Sequence, residues 1–129
     1  MKKILLLMMV AMGLTACHEN LGERAAREAK EFTKKSCPME IAEGIIIDSM
    51  TFNKATETVY YYYKLSGVLD TTLTEEMKKQ TKELMLDGLR NTPTLKAYKD
   101  AGFGFHYIIR SQKDKKKVLL DYNFTKKDY

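Results

Sequence analysis

The sequence has few of the residues that build metal centres or redox sites: of 129 residues, two are cysteine, two are histidine and none is tryptophan. The two cysteines, Cys17 and Cys37, are far apart, and neither belongs to a Cys-x-x-Cys pair. Zinc sites and thioredoxin-like centres need closely spaced ligands or thiols. This scarcity predicts that the chain holds no metal site and no cofactor.

Neither sign of charge dominates the chain. It has 22 Lys and Arg against 17 Asp and Glu, a net charge of +5, and two of the lysines lie at the very N-terminus. Nucleic-acid-binding proteins carry a clustered basic patch, so this slight and dispersed excess argues against a nucleic-acid partner. One basic cluster occurs, within residues 113–117. A solvated hairpin turn is the favoured interpretation, and contact with acidic headgroups or an anionic glycan is the alternative.

Long apolar runs are also missing, except at the N-terminus, where Ile4 to Ala16 follows two lysines. A membrane-spanning helix needs about 20 apolar residues, so this run is too short to span a bilayer. A charged start, a short apolar stretch and small residues at its end are typical of a secretory signal peptide. We place that signal peptide at residues 1–16.

The end of this segment, Leu14-Thr15-Ala16-Cys17, resembles the lipobox of bacterial lipoproteins. The resemblance implies that Cys17 becomes the acylated first residue of the mature chain and anchors it to a membrane of the cell envelope. Residues 17–20 then form a short tether. Because His18 stands where inner-membrane lipoproteins carry an aspartate, we expect the outer membrane of a Gram-negative bacterium.

About 110 residues follow the signal peptide, enough for one domain, which we place at residues 21–129. The spacing predicts a helix over 21–35, ended by Pro38, with apolar residues three and four apart. These residues are Leu21, Ala25, Ala29 and Phe32.

Two further helices are predicted in the middle of the chain. Thr72 followed by Glu75 resembles a capping box and starts the longer one, whose apolar residues lie mostly on one face. The pair Thr92-Pro93 starts a short helix, and Gly102 is placed to end it. The apolar positions of the longer helix are Leu73, Met77, Leu84 and Met85, and the inward positions of the short one are Leu95, Tyr98 and Ala101.

Four strands are predicted in two pairs. The segments 45–52 and 58–65 are joined by a polar turn, and 103–110 and 118–125 are joined by a charged one. The resulting order, α-β-β-α-α-β-β, predicts an α+β fold. In it, two hairpins form a four-stranded antiparallel sheet with the helices packed on one face.

Side chains that could carry catalysis are too few to form a site. Cys37 and His106 are the one thiol and imidazole in the folded part that could form a nucleophilic pair, and nothing in their spacing brings them together. The sequence Gly102-Phe103-Gly104 precedes a strand, whereas a phosphate-binding loop precedes a helix. We therefore assign no catalytic residue and predict that the chain is not an enzyme.

Four consecutive tyrosines, 60–63, are the most suggestive feature of the folded part. Side chains alternate along a strand, so Tyr61 and Tyr63 are predicted to face the core while Tyr60 and Tyr62 face the opposite side. If helices cover one face only, the uncovered face suits a partner protein, the alternative being a plain solvated sheet. Neighbours expected there are His106, Ile108 and Leu119. The candidate partner face comprises Tyr60, Tyr62, His106 and Ile108.

Several short motifs resemble those of small uncharacterised bacterial lipoproteins: Cys37-Pro38-Met39-Glu40, Asp48-Ser49-Met50-Thr51, the tyrosine-rich strand, and Pro93-Thr94-Leu95 leading to Ala101-Gly102. The resemblance covers most of residues 25–125. Members often carry a second cysteine before the short helix, which implies a disulfide with the Cys-Pro cysteine. This chain reads Leu89-Arg90-Asn91-Thr92 there, so the bridge is not implied for it. The family has no established activity, and the resemblance bears on fold and compartment.

The leading hypothesis is a lipid-anchored envelope protein with a non-catalytic interaction domain, whose partners are the membrane, through Cys17, and an envelope protein. A second hypothesis is a lipoprotein inhibitor or immunity-type protein that blocks an envelope enzyme or toxin and presents the 111–117 turn. A third is a thiol enzyme that uses Cys37. The sequence leaves the identity of the partner and the oligomeric state open.

We predict that Cys17→Ser releases the chain from the membrane, because a serine hydroxyl cannot form the thioether to the lipid. Fractionation of cells that express either chain would show the wild type with the membranes and the variant elsewhere. Intact-mass analysis provides the check on the wild type. A mature mass with an unmodified Cys17, or with residues 1–16 still attached, would contradict the lipobox.

Overall fold

Three helices and five strands follow one another along residues 19–129, the part of the chain that the computed structural model describes. The predicted signal peptide and Cys17 lie outside the described residues, so both stay predictions. The 3₁₀ turns Gly67–Leu69 and Pro93–Leu95 precede the second and third helices. The elements are α1 (Leu21–Ser36), β1 (Met39–Ala42), β2 (Ile45–Asn53), β3 (Thr58–Leu65), α2 (Glu75–Arg90), α3 (Lys96–Asp100), β4 (Gly104–Ser111) and β5 (Val118–Phe124).

The strands form one mixed sheet in the order β1-β2-β3-β4-β5. Both predicted hairpins are present, because β2 pairs with β3 and β4 with β5 in antiparallel fashion. The α+β class is therefore confirmed. The prediction of four antiparallel strands is wrong in two respects, since a fifth strand exists and β3 runs parallel to β4.

The parallel pairing follows from what α2 does to the chain. After β3 ends, α2 returns along the sheet, and its 16 residues span roughly 24 Å at 1.5 Å per residue. The chain is thereby brought back to the end where β3 began, and β4 starts beside it, with Thr58 opposite Gly104. A strand, a helix and a neighbouring strand give parallel pairing in this way, which alternation of side chains alone does not reveal.

The fifth strand, β1, has four residues and lies on the outer side of β2. A tight turn connects the two strands, and Gly44 in it has a φ of +79°. A side chain at Gly44 would begin 2.9 Å from the carbonyl oxygen of Ser66, so the turn needs glycine twice over, for its φ and for its space. All four residues of β1 are exposed, which explains why the sequence pattern does not show a strand.

Helix α1 matches its predicted bounds closely and covers the outer edge of β2 beyond the short β1. Asn20 caps its first turn by accepting a hydrogen bond from the backbone N–H of Glu23 at 2.8 Å. The predicted apolar stripe faces inward, and Ala25 and Ala29 are buried. The Thr33 hydroxyl donates to the Met50 carbonyl at 2.8 Å and accepts from the Met50 N–H at 2.9 Å. One side chain thus satisfies both backbone groups on the free edge of β2.

Helix α2 begins later than the capping box predicts. Its N-cap is Thr74, whose hydroxyl accepts from the Met77 N–H at 3.2 Å, so the assignment of Thr72 and Glu75 is wrong by two residues. At its other end the Lys99 ammonium donates to the carbonyls of Leu89, Arg90 and Thr92 at 2.8, 2.9 and 3.2 Å. A cation is favourable at a helix C-terminus, and this one joins α2 to α3.

The core lies between the sheet and the helices, all on one face, as predicted. Its most completely buried large side chains are Phe105, Phe124 and Leu89. The short helix α3 brings Tyr98 into this core and ends before Gly102, whose φ is +79°, and both features agree with the prediction. Ala101, predicted to face inward, is exposed. Among the described residues, no helix is both long and apolar enough to cross a membrane.

We predict that Tyr61→Ala lowers the free energy of unfolding by about 3–5 kcal/mol, because it empties a large buried position. Tyr61 is 8% exposed and stacks on Tyr107 with ring centroids 4.7 Å apart. The matched control is Tyr62→Ala on the other face of the same strand, where we expect under about 1.5 kcal/mol. Urea unfolding measures both. Equal losses would mean that both faces of the sheet are buried.

Candidate functional site

An apolar groove runs between α2 and the sheet, on the face that the helices cover incompletely. We call it the α2 groove; its volume is about 430 Å³. Helix α1 lies over β2 and α2 lies towards β5, where the Tyr122 hydroxyl donates to the carbonyl of Lys78 at 2.6 Å. Between them the helices cover the central strands incompletely, and Tyr63 and Tyr107 there are half-buried. The floor of the groove is formed by Tyr63, Leu65, Tyr107, Ile109 and Leu120.

Exposed apolar side chains form the rims of the α2 groove. Val68, in the loop after β3, is 92% exposed, Ile41 of β1 is 51% exposed and Met77 of α2 is 42% exposed. Single exposed apolar residues are ordinary on a protein surface, but a contiguous set around a concave site indicates an interaction surface. These three residues surround one opening, so the groove is the strongest candidate site among the described residues.

Helix α2 contributes both large and small side chains to the wall of the groove, and the large ones are Met77, Met85 and Leu89. Thr81 and Gly88 occupy helix positions on its wall, where larger residues would fill the space against the sheet. A Cβ atom added at Gly88 would meet no heavy atom within 4 Å. Glycine inside a helix lowers stability relative to alanine. Gly88 is such a glycine, and it lies on the wall of the groove.

The floor of the α2 groove is a poorly solvated environment. Burial raises the pKa of the Tyr63 hydroxyl, and it raises the pKa of the Tyr107 hydroxyl further, since desolvation disfavours a phenolate. Both tyrosines remain neutral at physiological pH and present apolar rings with a polar tip. Tyr63 was predicted to be a core residue, and it is only half-buried because it forms this floor.

The structure brings together the four residues of the predicted partner face, which we call the open face. Tyr60 lies opposite His106 and Tyr62 opposite Ile108 in the parallel pair. The Tyr60 ring stacks on the His106 ring at 5.0 Å and on the Tyr62 ring at 6.2 Å. The Nε2 atom of His106 lies 2.5 Å from a carboxylate oxygen of Asp121. All four residues are half-buried, and their role in binding a partner stays a prediction.

Leu119, expected beside the open face, is instead buried with the helix-side residues Leu65, Ile109 and Leu120. The reason is an irregularity in the pairing of β4 with β5, where Ile109 faces Leu120 but Arg110 faces Val118. An extra residue in one strand changes the face to which its side chain points. A prediction that assumes strict alternation of side chains along the strand cannot account for this shift.

The thiol–imidazole pair of the enzyme hypothesis does not form. Cys37 packs against the helix-side core, whereas His106 lies on the open face, so the sheet separates them. Burial, followed by the nearby Asp48 carboxylate, raises the pKa of the Cys37 thiol, which is the opposite of what a nucleophile needs. Among residues 19–129 Cys37 is a free thiol, and no group of three or more acidic, histidine or cysteine side chains converges there on a metal site.

Sequence reasoning missed the α2 groove because its residues look like ordinary core positions. Leu73, Met77 and Met85 were predicted to face inward, and all three line the groove. Two signals were present in the sequence: small residues at Thr81 and Gly88 on the inward side of α2, and the apolar Val68 in a loop between Gly67 and Asp70. Leu84, predicted to share the inward face, is 73% exposed and lies outside the groove.

A family model matches residues 20–120, most of the domain. The chain belongs to the family described as a domain of unknown function, DUF8479. No curated protein has a sequence that matches this chain. The match agrees with the expectation of a small uncharacterised protein family, while the lipobox lies outside the matched residues.

Three solved structures share the fold of this DUF8479 domain. The pilotin EpsS of the Vibrio vulnificus type 2 secretion system has a TM-score of 0.65 and 14% identity, with 84% of this chain and 90% of that chain covered. The type II secretion system pilotin AspS of Vibrio cholerae has a TM-score of 0.63 and 16% identity, with 85% and 93% covered. A Pseudomonas aeruginosa protein has a TM-score of 0.61 and 13% identity, with 85% and 97% covered. At these identities the likeness shows a shared fold.

We predict that Gly88→Ala stabilises the domain by about 0.5–1 kcal/mol, since alanine favours the helix and its methyl group meets open space. Gly102→Ala is the contrasting control. At a φ of +79° an alanine is strained, and we expect a loss of stability. Denaturant unfolding measures both variants. Destabilisation by Gly88→Ala would mean that the groove is closed at this point.

Proposed function

We propose that this chain is a lipid-anchored envelope protein without catalytic activity, and that its α2 groove binds the apolar side of a helix from an envelope partner. The observation that carries the proposal is the groove itself, an apolar concave site with Ile41, Val68 and Met77 exposed around its opening. Exposure of these apolar side chains to water costs free energy. A partner that covers them with its own apolar surface recovers that free energy.

The shape of the site favours a helix as the occupant. The floor is a sheet face, so the partner meets side chains there and has no row of free backbone N–H and C=O groups to pair with. Recognition of a helix in a groove uses apolar anchors three and four residues apart, and such anchors would lie along the groove parallel to α2. A strand would add instead to an edge, such as the outer side of β1 or β5.

The likeness to EpsS and AspS supports a more specific version of the proposal. Both are pilotins of type II secretion systems, and both share the fold that creates the groove. We propose that the partner of this chain is a secretion-system protein of the outer membrane and that the predicted lipid on Cys17 places the complex there. The anchor, the membrane and the partner are all parts of the proposal.

The competing hypotheses receive less support from the structure. An inhibitor or immunity-type protein would insert a rigid loop into its target, and the candidate loop, 111–117, is a charged connection that is exposed over residues 112–117. Two backbone N–H groups hold it at its base: Lys113 donates to the Asp70 carboxylate at 2.9 Å, and Gln112 donates to the carbonyl of Leu65 at 3.0 Å. No structural likeness points to an inhibitor. The thiol-enzyme hypothesis is weakened by the separation of Cys37 from His106.

A photo-crosslinking amino acid at Met77, introduced into the full-length lipidated chain in its native cells, tests the groove directly. We expect an adduct whose mapped site lies in an apolar helical segment of an envelope protein. The crosslinker is also placed at two matched positions that test other binding surfaces. Leu84 lies on the same helix outside the groove, and Tyr60 lies on the open face. If an adduct formed from Tyr60 alone, the partner would bind the open face, and the proposal would be overturned.

Charge substitution gives the corresponding energetic prediction. Met77→Glu places a carboxylate at the rim of the apolar interface, and we expect the affinity for the crosslinked partner to fall more than about 30-fold, as for a hot-spot position. Leu84→Glu changes the same charge on the same helix and should leave the affinity within about twofold. Titration with the partner segment measures both. Equal effects would show that the net charge of α2 matters and that the groove does not.

A further inference from the structure

We propose that one end of the domain, which we call the base, faces the membrane and that its lysines contact anionic lipid headgroups. The base consists of the start of α1, the 53–57 turn, the loop before α3 and residues 125–129. The inference rests on the lipid anchor of the proposed function, and it adds the orientation of the domain and a second, lipid ligand.

Several contacts show that these segments form one surface. The N–H of Gly104 donates to the carbonyl of Glu57 at 2.9 Å, and the hydroxyl of Tyr129 donates to the carbonyl of Phe103 at 2.7 Å. Phe103 also borders a depression that it shares with Leu21 and Lys54. The start of α1, the β2–β3 turn, the start of β4 and the C-terminal residues therefore meet around Phe103.

The distance from the anchor to the base is short. Asn20 is the N-cap of α1, and it lies only three positions after Cys17 in the sequence. An extended chain spans at most about 3.6 Å per residue, so the reach is about 11 Å. The Debye length at physiological ionic strength is about 8 Å. The tether therefore keeps the start of α1 at a distance from the headgroups that is comparable with the Debye length.

The base presents lysines that are free to make such contacts. Lys54, Lys126 and Lys127 are exposed and have no ion pair among the described residues. Beside them lies a depression of about 790 Å³ that Arg90, Lys96 and other polar residues line. Basic residues close to an anionic membrane surface are attracted to it.

Most carboxylates at the base already have partners. Glu19 pairs with Arg27 at 2.8 Å, and Asp100 pairs with Lys96 at 2.6 Å. The Asp128 carboxylate accepts from the Thr125 N–H at 2.8 Å. Glu23 and Glu57 remain exposed and keep the positive excess small. The attraction therefore depends on the short tether more than on net charge.

The basic cluster of residues 113–117 lies at the opposite end of the sheet, where β4 ends and β5 begins. The eight residues of β4 separate the two ends by roughly 26 Å, at 3.3 Å per residue. This cluster has a higher density of lysines than the base, so charge alone would orient it towards the membrane. The tether instead orients the base towards the membrane. The opening of the α2 groove near Val68 lies at this far end and is left accessible to a partner.

Lysine footprinting on vesicles distinguishes the two orientations. The full lipidated chain is reconstituted in vesicles of phosphatidylglycerol with phosphatidylcholine, and in phosphatidylcholine alone, and treated with an amine-reactive ester. We expect the labelling of Lys54, Lys126 and Lys127 to fall about fivefold on the anionic vesicles, the factor that corresponds to the attraction of one lysine for an anionic surface. Lys115 and Lys116 should keep their labelling, and high salt should remove the difference.

Two matched double variants complete the test. Lys126→Glu/Lys127→Glu should abolish the protection of Lys54 on anionic vesicles, whereas Lys115→Glu/Lys116→Glu should leave it intact. Protection of Lys115 and Lys116, or protection at neither end, would overturn the inference. Because no partner protein is present, a failure of the groove proposal does not affect the result. A failure of the anchor is recognised separately, since the chain would not float with the vesicles.

Discussion

The parallel pairing of β3 with β4 is the constraint from which the other features of the domain follow. Neighbouring parallel strands need a crossover, and this crossover carries α2 and α3 over one face of the sheet. With α1 on the same face, the opposite face remains open, and Tyr60 stacks on His106 there. Two helices of 16 residues at the sides of a five-stranded sheet cover its centre incompletely, and Tyr63 and Tyr107 there are half-buried. The α2 groove is the space between α2 and the sheet.

Local patterns predicted the elements of this fold well and their arrangement less well. The alternation in 58–65 and the spacing of Ala25 and Ala29 are set by which side of an element meets the core, so the sequence records them directly. The direction of β4 depends on where α2 delivers the chain, which is a property of three elements together. The strand β1 is exposed throughout and has no pattern to read. The true cap, Thr74, competes in the sequence with Thr72, which has the same chemistry.

The candidate site was only partly accessible to such reasoning. Alternation correctly placed Tyr60 and Tyr62 together on the uncovered face, because it needs no tertiary information. A groove is an unfilled space between secondary-structure elements, and the residues that line it are the same types that form a hydrophobic core. Met77 and Leu84 look equivalent on a helical wheel, yet one borders the groove and the other is solvated. Only the position of α2 relative to the sheet decides between them.

The Thr33 hydroxyl that bonds both backbone groups of Met50 has a consequence for self-association. Exposed strand edges invite pairing with other chains, and molecules confined to a membrane surface encounter one another far more often than molecules in free solution. The edge of β2 beyond β1 has no strand beside it at Met50, and a single hydroxyl occupies the positions that a neighbouring strand would need. At the other edge, the irregular pairing at Leu119 interrupts the ladder. Growth of the sheet is therefore hindered at these two places, and strand addition is left to the outer side of β1 and the regular part of β5.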